Sequence, residues 1–237
     1  MKRWVILKAG STLPDIARRR GDFEHWISEG LDVPLDEILV VPVFEGAPLP
    51  AAQDVGAVVV TGSPAMVTDR EPWSVASAAW LHDVWEHGKP ILGICYGHQL
   101  LADALGGRVD RNPAGREIGT VCLDRTAAGR EDPLLCVLDD RFFAQESHSE
   151  SVVELPPGAT LIATNPHAPN QAFSLGHAWG VQFHPEFDAD IVRGYIRGRA
   201  DALRREGLDP DRLDSEVKES DAGPRLLRRF RELASER

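Results

Sequence analysis

Cysteine is scarce in this sequence: three in 237 residues, Cys95, Cys122 and Cys136, odd in number and widely spaced. That excludes a disulfide framework, and without a CxxC pair it also excludes a zinc ribbon or finger. Basic residues are in short supply too, 26 against 37 acidic, and the net charge of −11 repels nucleic acid and anionic membrane surfaces. No apolar run is long enough to span a bilayer. The first such run, "WVIL", is broken by Lys8 before it could serve as the hydrophobic region of a signal peptide, so it reads as a first strand. A reducing cytoplasm is the expected setting. Small molecules or proteins are the expected partners, with no nucleic acid and no membrane among them.

What is present is an apolar fraction of 43%, enough in 237 residues for one sizeable core. The segments "WVILKAG", "EILVVPV", "GAVVVTGSP" and "KPILGIC" read as buried strands ending in turns. Between the last two, residues 74–87 place Val75, Ala78, Ala79, Val84 and Trp85 at helical spacing, with Gly88 and Pro90 as stop signals. Strands alternating with helices predict a three-layer α/β fold, an open and mostly parallel sheet with helices on both faces. From 118 to 183 the strand-like "EIGTVCL", "FFAQESHS", "SVVELP", "ATLIAT" and "AWGVQFHPEF" follow one another with few helical repeats, so additional antiparallel strands are expected. Cys122 and Cys136 lie in strand-like runs and read as core thiols.

Beyond residue 191 the pattern turns helical, interrupted at 207–210 and 222–224. The expected organisation is one domain over residues 1–205 and a C-terminal helical extension, 206–237, packed on it. The extension puts Leu226, Leu227, Phe230, Leu233 and Ala234 on one face and arginines on the other, a pattern for docking on its own domain, with a homodimer contact as the sharper alternative.

The chemistry centres on "GICYG", Gly93 to Gly97. A lone cysteine in a strand is more often packed than reactive. Here, however, flanking glycines give the G-x-nucleophile-x-G form of an elbow, where a strand turns sharply into a helix and lifts the central side chain clear. Cys95 would sit at the N-terminus of a helix over 96–105, whose dipole favours a thiolate. The Tyr96 N–H, unpaired within that helix, could receive an oxyanion, and Gln99, one turn on, leans back toward the same pocket.

Eight histidines compete to be the base. His98 follows the elbow on the same helix and is poorly aimed, and His82 and His87 belong to a surface helix. In "VQFHPEF" an alternating strand is expected to end at His184, with Pro185 holding it extended so that His184 and Glu186 project to one side. Glu186 would accept the Nδ1–H and leave Nε2 for the thiol, giving a Cys95-His184-Glu186 triad.

These residues resemble the class I, triad-type glutamine amidotransferases. "PILGICYGHQLLADALGG" is similar to the family's nucleophile signature and "GVQFHPEF" to its F-H-P-E signature. "VVVTGSP" resembles the oxyanion loop, and "ESHSESVVELPPGA" the loop that holds the substrate by its backbone. The resemblance implies a flavodoxin-like fold and an enzyme that hydrolyses the side-chain amide of L-glutamine, or another γ-glutamyl amide, through a cysteinyl thioester. No metal and no organic cofactor are implied. Tyr96 with Ser63 or Gly62 would form the oxyanion hole, and Gln99 with the backbones of Ser147, Ser149 and Glu150 would bind the substrate's α-groups. His148 is then a loop residue rather than a rival base. One departure is visible: the family commonly has glycine before the loop's proline, whereas Ser63 precedes Pro64 here, which leaves the loop's conformation open. No synthase domain accompanies these motifs, so an ammonia-accepting synthase subunit is implied. A γ-glutamyl hydrolase or transpeptidase, and a non-catalytic module on the same fold, are the alternatives.

Overall fold

The structure, a computed structural model, describes residues 3–236; the outer bounds of the two expected segments, 1 and 237, lie outside them. The β-branched runs form strands because both their faces are buried. Strands β1 (Arg3–Lys8), β2 (Ile38–Pro42), β3 (Val55–Val60) and β4 (Ile91–Ile94) lie parallel to one another. Helices α1 (Pro14–Arg20) and α2 (Phe23–Leu31) follow β1, α3 (Pro72–Glu86) precedes β4, and α4 (Tyr96–Ala104) leaves β4 after a single intervening residue, Cys95. The chain continues through β5 (Arg108–Arg111), β6 (Glu117–Arg125), α5 (Ala127–Glu131), β7 (Arg141–His148), β8 (Glu150–Glu154), β9 (Thr160–Thr164), β10 (Ala172–Leu175) and β11 (Ala178–Val181). It closes with α6 (Ala189–Gly198), α7 (Ala200–Arg205), α8 (Pro210–Glu216) and α9 (Ala222–Ser235).

Nine of these strands form one sheet in the order β2-β1-β3-β4-β11-β10-β9-β6-β7. Strand β11 returns to pair parallel with β4, and the remaining strands extend that edge antiparallel. β5 and β8 form a separate ribbon. A hydrophobic core lies on each face: Ile16, Ile27, Ile196 and Phe230 bring α1, α2, α6 and α9 to one side, while Leu81, Val84, Leu100 and Leu101 bring α3 and α4 to the other. The carboxyl end of β4 therefore opens in mid-sheet between β3 and β11, where an α/β fold places its ligands.

The C-terminal face docks as an amphipathic helix should. Leu226, Leu227 and Phe230 are fully buried, and Phe230 meets Trp4 and Trp179 edge-on at 5.9 and 6.1 Å. The crossing with α2 is close enough that a Cβ on Gly30 would stand 2.3 Å from Leu227. Among the described residues no helix is long and apolar enough to cross a membrane.

Four expectations change. Strand β11 ends at Val181, so His184 lies beyond it in a bend rather than at a strand end. The helical stretch beyond 191 is interrupted at Arg199 as well as at 207–210, and 222–224 is the first turn of α9 rather than an interruption. His148 is the last residue of β7, not a loop residue, and is buried. Cys136 is exposed and Cys122 half-buried, so neither is a core thiol: Cys136 falls in a short turn of 3-10 helix, and Cys122 faces outward to accept from Arg141 Nε at 3.2 Å.

Candidate active site

The strand-to-helix elbow is built on close backbone approach. A Cβ on Gly93 would meet the Gly97 carbonyl oxygen at 2.3 Å, and one on Gly97 would meet the Val60 carbonyl at 2.5 Å. Only glycine lets α4 start this tightly over β4 and β3. Cys95 itself has φ 52° and ψ −102°, whereas the other positive-φ side chains, Asp32 and Arg70, sit in the ordinary left-handed well. Its backbone is pinned from both sides, its N–H donating to the Val181 carbonyl at 2.9 Å and its carbonyl accepting from Gln99 N–H at 3.1 Å. A sparsely populated conformation held by its surroundings is the signature of a residue placed for use.

His184 is positioned by the bend after β11. Its N–H donates to the Gln145 carbonyl at 2.8 Å, and its ring stacks on Phe187 at 3.9 Å, with Phe23 stacked at 6.3 Å. Nδ1 lies 2.8 Å from Glu186 Oε1; a carboxylate can only accept, so Nδ1 carries the proton and Nε2 is left for the thiol. The His184 ring and Cys95 border the same cavity, and the Cys95 thiol itself points to the Ser147 carbonyl at 3.9 Å. Glu186 Oε2 is buried without a hydrogen-bond partner, so the hydrogen bond to His184 is this carboxylate's one contact of that kind among the described residues. The extension reaches this bend as well, because a Cβ on Gly223 in the first turn of α9 would lie 2.2 Å from the Pro185 carbonyl.

Burial alone would push the His184 pKa down, but the Glu186 carboxylate and Cys95 beside it raise it to about 10. The folded pKa is above the unfolded one, so the stability this pair contributes is complete below about pH 6.5 and fades as pH rises through about 10. Glu186→Gln removes the strongest raising influence. Its expected result is loss of the His184 proton at lower pH, followed by imidazole nitrogen shifts in NMR; an unmoved titration would show that Glu186 does not hold the charge.

The loop after β3 is fixed by hydroxyls. Thr61 Oγ1 accepts from Ala9 N–H at 3.0 Å and donates to the Gly62 carbonyl at 2.8 Å. Ser63, the residue that departs from the family pattern, donates to the Ala9 carbonyl at 2.8 Å and accepts from Ala65 N–H at 3.1 Å, tying the loop to the end of β1. Gly62 faces His184, whose Cε1 would be 2.8 Å from an added Cβ.

Cys95 lines two small adjoining cavities of about 40 Å³ each. The first is bounded by Leu13, Phe23, Ser63, His184, Tyr195 and Arg199. The second is bounded by Met66, Tyr96, Gln99, Ser147, Ser149 and Glu150, with Arg116 and Arg199. Gln99 is buried and donates through Nε2 to the Glu150 carbonyl at 2.8 Å and to Gln182 Oε1 at 3.1 Å, so it also anchors the wall it helps to form. The Glu150 carboxylate accepts from Val67 N–H at 2.9 Å and from Thr68 Oγ1, which clamps β8 to the loop after β3. Of the expected site residues, Cys95, His184, Tyr96, Ser63, Gln99, Ser147, Ser149 and Glu150 border these two cavities, whereas Gly62 and Glu186 line neither and stand against the His184 ring. His98 is elsewhere: it is wholly buried beside Phe173, and that burial lowers its pKa to about 3.

Two groups at the site escaped sequence reasoning. Glu146, wholly buried on β7, has its pKa raised well above the usual carboxylate range by burial first, then by Glu117 and Cys95. Its donor atoms and those of Glu117 and His148 lie within 4.8 Å of one another, close enough for a metal. Glu117 accepts from Asn165 at 2.7 Å, Gln171 at 3.0 Å and His148 at 3.1 Å, whereas both Glu146 carboxyl oxygens are buried without a hydrogen-bond partner. A polar residue at an inward position of "FFAQESH" was the available signal. The other group is Arg199, for which the sequence carried no signal.

Residues 25–191 match the family model for glutamine amidotransferase class-I. The chain belongs to that family. GMP synthase [glutamine-hydrolyzing] of Thermomicrobium roseum is 42% identical over 130 residues, 54% of this chain and 23% of that protein. The GMP synthase of Aeropyrum pernix is 39% identical over 142 residues, 60% of this chain and 25% of its own length. The amidotransferase chain thus spans about a quarter of these curated relatives. Among solved structures, a glutamine amidotransferase from Thermotoga maritima superposes over 100% of both chains with a TM-score of 0.77 at 23% identity. One from Methylobacillus flagellatus covers 99% of this chain and 93% of its own, with a TM-score of 0.74 at 23% identity. At that identity the likeness is one of fold, α/β and flavodoxin-like.

Proposed function

We propose that this amidotransferase hydrolyses the side-chain amide of glutamine through a thioester on Cys95. The observation that carries the reading is the pair His184 Nδ1–Glu186 Oε1 at 2.8 Å, on a ring that borders the same cavity as a cysteine held in a strained elbow. Cys95 Sγ attacks the amide carbon, forming the C–S bond, and the oxyanion is received by the N–H of Tyr96 with that of Ser63 or Gly62. His184 Nε2, having taken the Cys95 thiol proton, gives it to the departing nitrogen, the C–N bond breaks, and ammonia leaves. Water then attacks the thioester, His184 Nε2 takes its proton and returns it to Sγ as the C–S bond breaks, and glutamate is released. Glu186 holds the tautomer throughout. Gln99, Ser147, Ser149 and Glu150 line the side that takes the α-amino and α-carboxylate groups. The ammonia is passed to a separate synthase subunit, a reading favoured by the GMP synthase relatives.

The test is glutamate release from L-glutamine, with hydroxylamine added to intercept the thioester. The expected result is γ-glutamyl hydroxamate formed at the expense of glutamate. Absence of both products, alone and with candidate synthase subunits, would refute it.

A further inference from the structure

Arg199 stands at the break between α6 and α7 and lines both cavities beside Cys95. Among the described residues its guanidinium has no ion-pair partner. It lies over the Tyr195 ring at 5.8 Å, and its Nε is buried without a hydrogen-bond partner. The neighbouring cation, Arg116, is already engaged, donating to both Glu206 oxygens at 2.7 and 3.0 Å. Burial and the repulsion of Arg116 both lower the Arg199 pKa, so the fold bears a cost to keep this charge at the site. An arginine fork held open in a half-buried cavity matches a carboxylate, which it can bind bidentately.

The two cavities differ in what they offer a substrate. Gln99, Ser149 and Glu150 border only the second, where the glutamyl half would lie. His184 borders only the first, together with Leu13, Phe23 and Tyr195, so the nitrogen that receives its proton leaves on that side. Arg199 borders both cavities, but the Tyr195 ring over which its guanidinium lies borders only the first, so its charge reaches this leaving-group side. Ammonia carries no group for it to bind.

We propose that Arg199 is a specificity residue that binds a carboxylate on the amine half of the substrate, extending the substrate class to γ-glutamyl amino acids. The proposal rests on the thioester reading for its direction along the cavities, but binding tests it independently of turnover. The chemistry balances as before: Cys95 forms the C–S bond, the C–N bond breaks, His184 supplies the proton, and the product amine is a free amino acid instead of ammonia. Water then releases glutamate.

Calorimetry on the full chain carrying Cys95→Ala compares γ-glutamylglycine with γ-glutamylethylamide. The two have similar size and share the glutamyl α-carboxylate, and only the first has a carboxylate on its amine half. The expected result is tighter binding of the glycine compound by at least about ten-fold, as for a charge-assisted bidentate contact. Adding Arg199→Gln is expected to bring the two affinities to within about two-fold of each other, and Arg199→Lys to leave an intermediate ratio. A ratio near one before Arg199 is changed, including no measurable binding of either compound, overturns the proposal. So does a ratio that Arg199→Gln leaves intact. Parallel weakening of both compounds assigns Arg199 to the glutamyl carboxylate or to the fold and overturns it equally. If intact protein cleaves neither compound nor glutamine, the thioester reading fails, while the binding ratio still decides Arg199.

Discussion

Replacing Cys95 with alanine is expected to lower glutamate release from glutamine by a factor on the order of 10⁴ or more, because on the proposed thioester chemistry it removes the nucleophile and leaves only binding and oxyanion stabilisation. The same position makes an opposite prediction for stability. Cys95 holds φ 52° and ψ −102°, where a Cβ collides with its own backbone. Glycine relieves that collision, and Cys95→Gly is expected to raise the unfolding free energy by about 1 kcal/mol, the usual scale of such strain. Urea denaturation of the intact, alanine and glycine proteins measures both effects alongside the glutamate assay. An alanine variant retaining a tenth of the activity would remove Cys95 from the chemistry. A glycine variant less stable than the intact protein would show that the thiol's packing outweighs the strain.

The second large effect is expected at Gly93, which lines neither cavity beside Cys95. Its added Cβ would meet the Gly97 carbonyl oxygen at 2.3 Å, the Gly97 carbonyl carbon at 2.6 Å and the His98 nitrogen at 2.8 Å, all backbone atoms of the first turn of α4. Strand β4 cannot yield, because β3 and β11 are bonded to its two edges. Gly93→Ala must therefore push α4 off the sheet, and with it the N–H of Tyr96. The expected cost is about 3 kcal/mol, at the upper end of overpacking penalties, with glutamate release lost alongside. A shift of the urea midpoint within error of zero would show that the elbow has slack, and the close-approach account of both glycines would fail.

Much of the architecture was legible because the signals were local. "EILVVPV", "GAVVVTGSP" and "KPILGIC" could be read as strands since buried parallel strands leave uninterrupted β-branched runs. The amphipathic tail carried its docking face in its own periodicity. Reading failed where neighbours outside the segment decided the outcome. "VQFHPEF" alternates like a strand, yet β11 stops at Val181 because its partner β4 ends at Ile94, and the following backbone instead bonds to Gln171 and Gln145. Cys122 and Cys136 sit in apolar company along the chain, but one faces outward on an edge-side strand and the other in an exposed turn.

The sequence by itself determined the fold class and the family, and it carried the candidate nucleophile, base and orienting carboxylate, since glycine spacing, periodicity and short motifs are properties of adjacent residues. Tertiary structure alone decided which charges share the space around Cys95. Glu146 and Glu117 lie against each other because β6 and β7 pair antiparallel, and Arg199 overlooks the first cavity because α6 breaks there. The physical reason is that burial and Coulomb forces act through space. A guanidinium distant along the chain can therefore shape what enters the pocket, while His98, three residues from the cysteine, is turned away into the core.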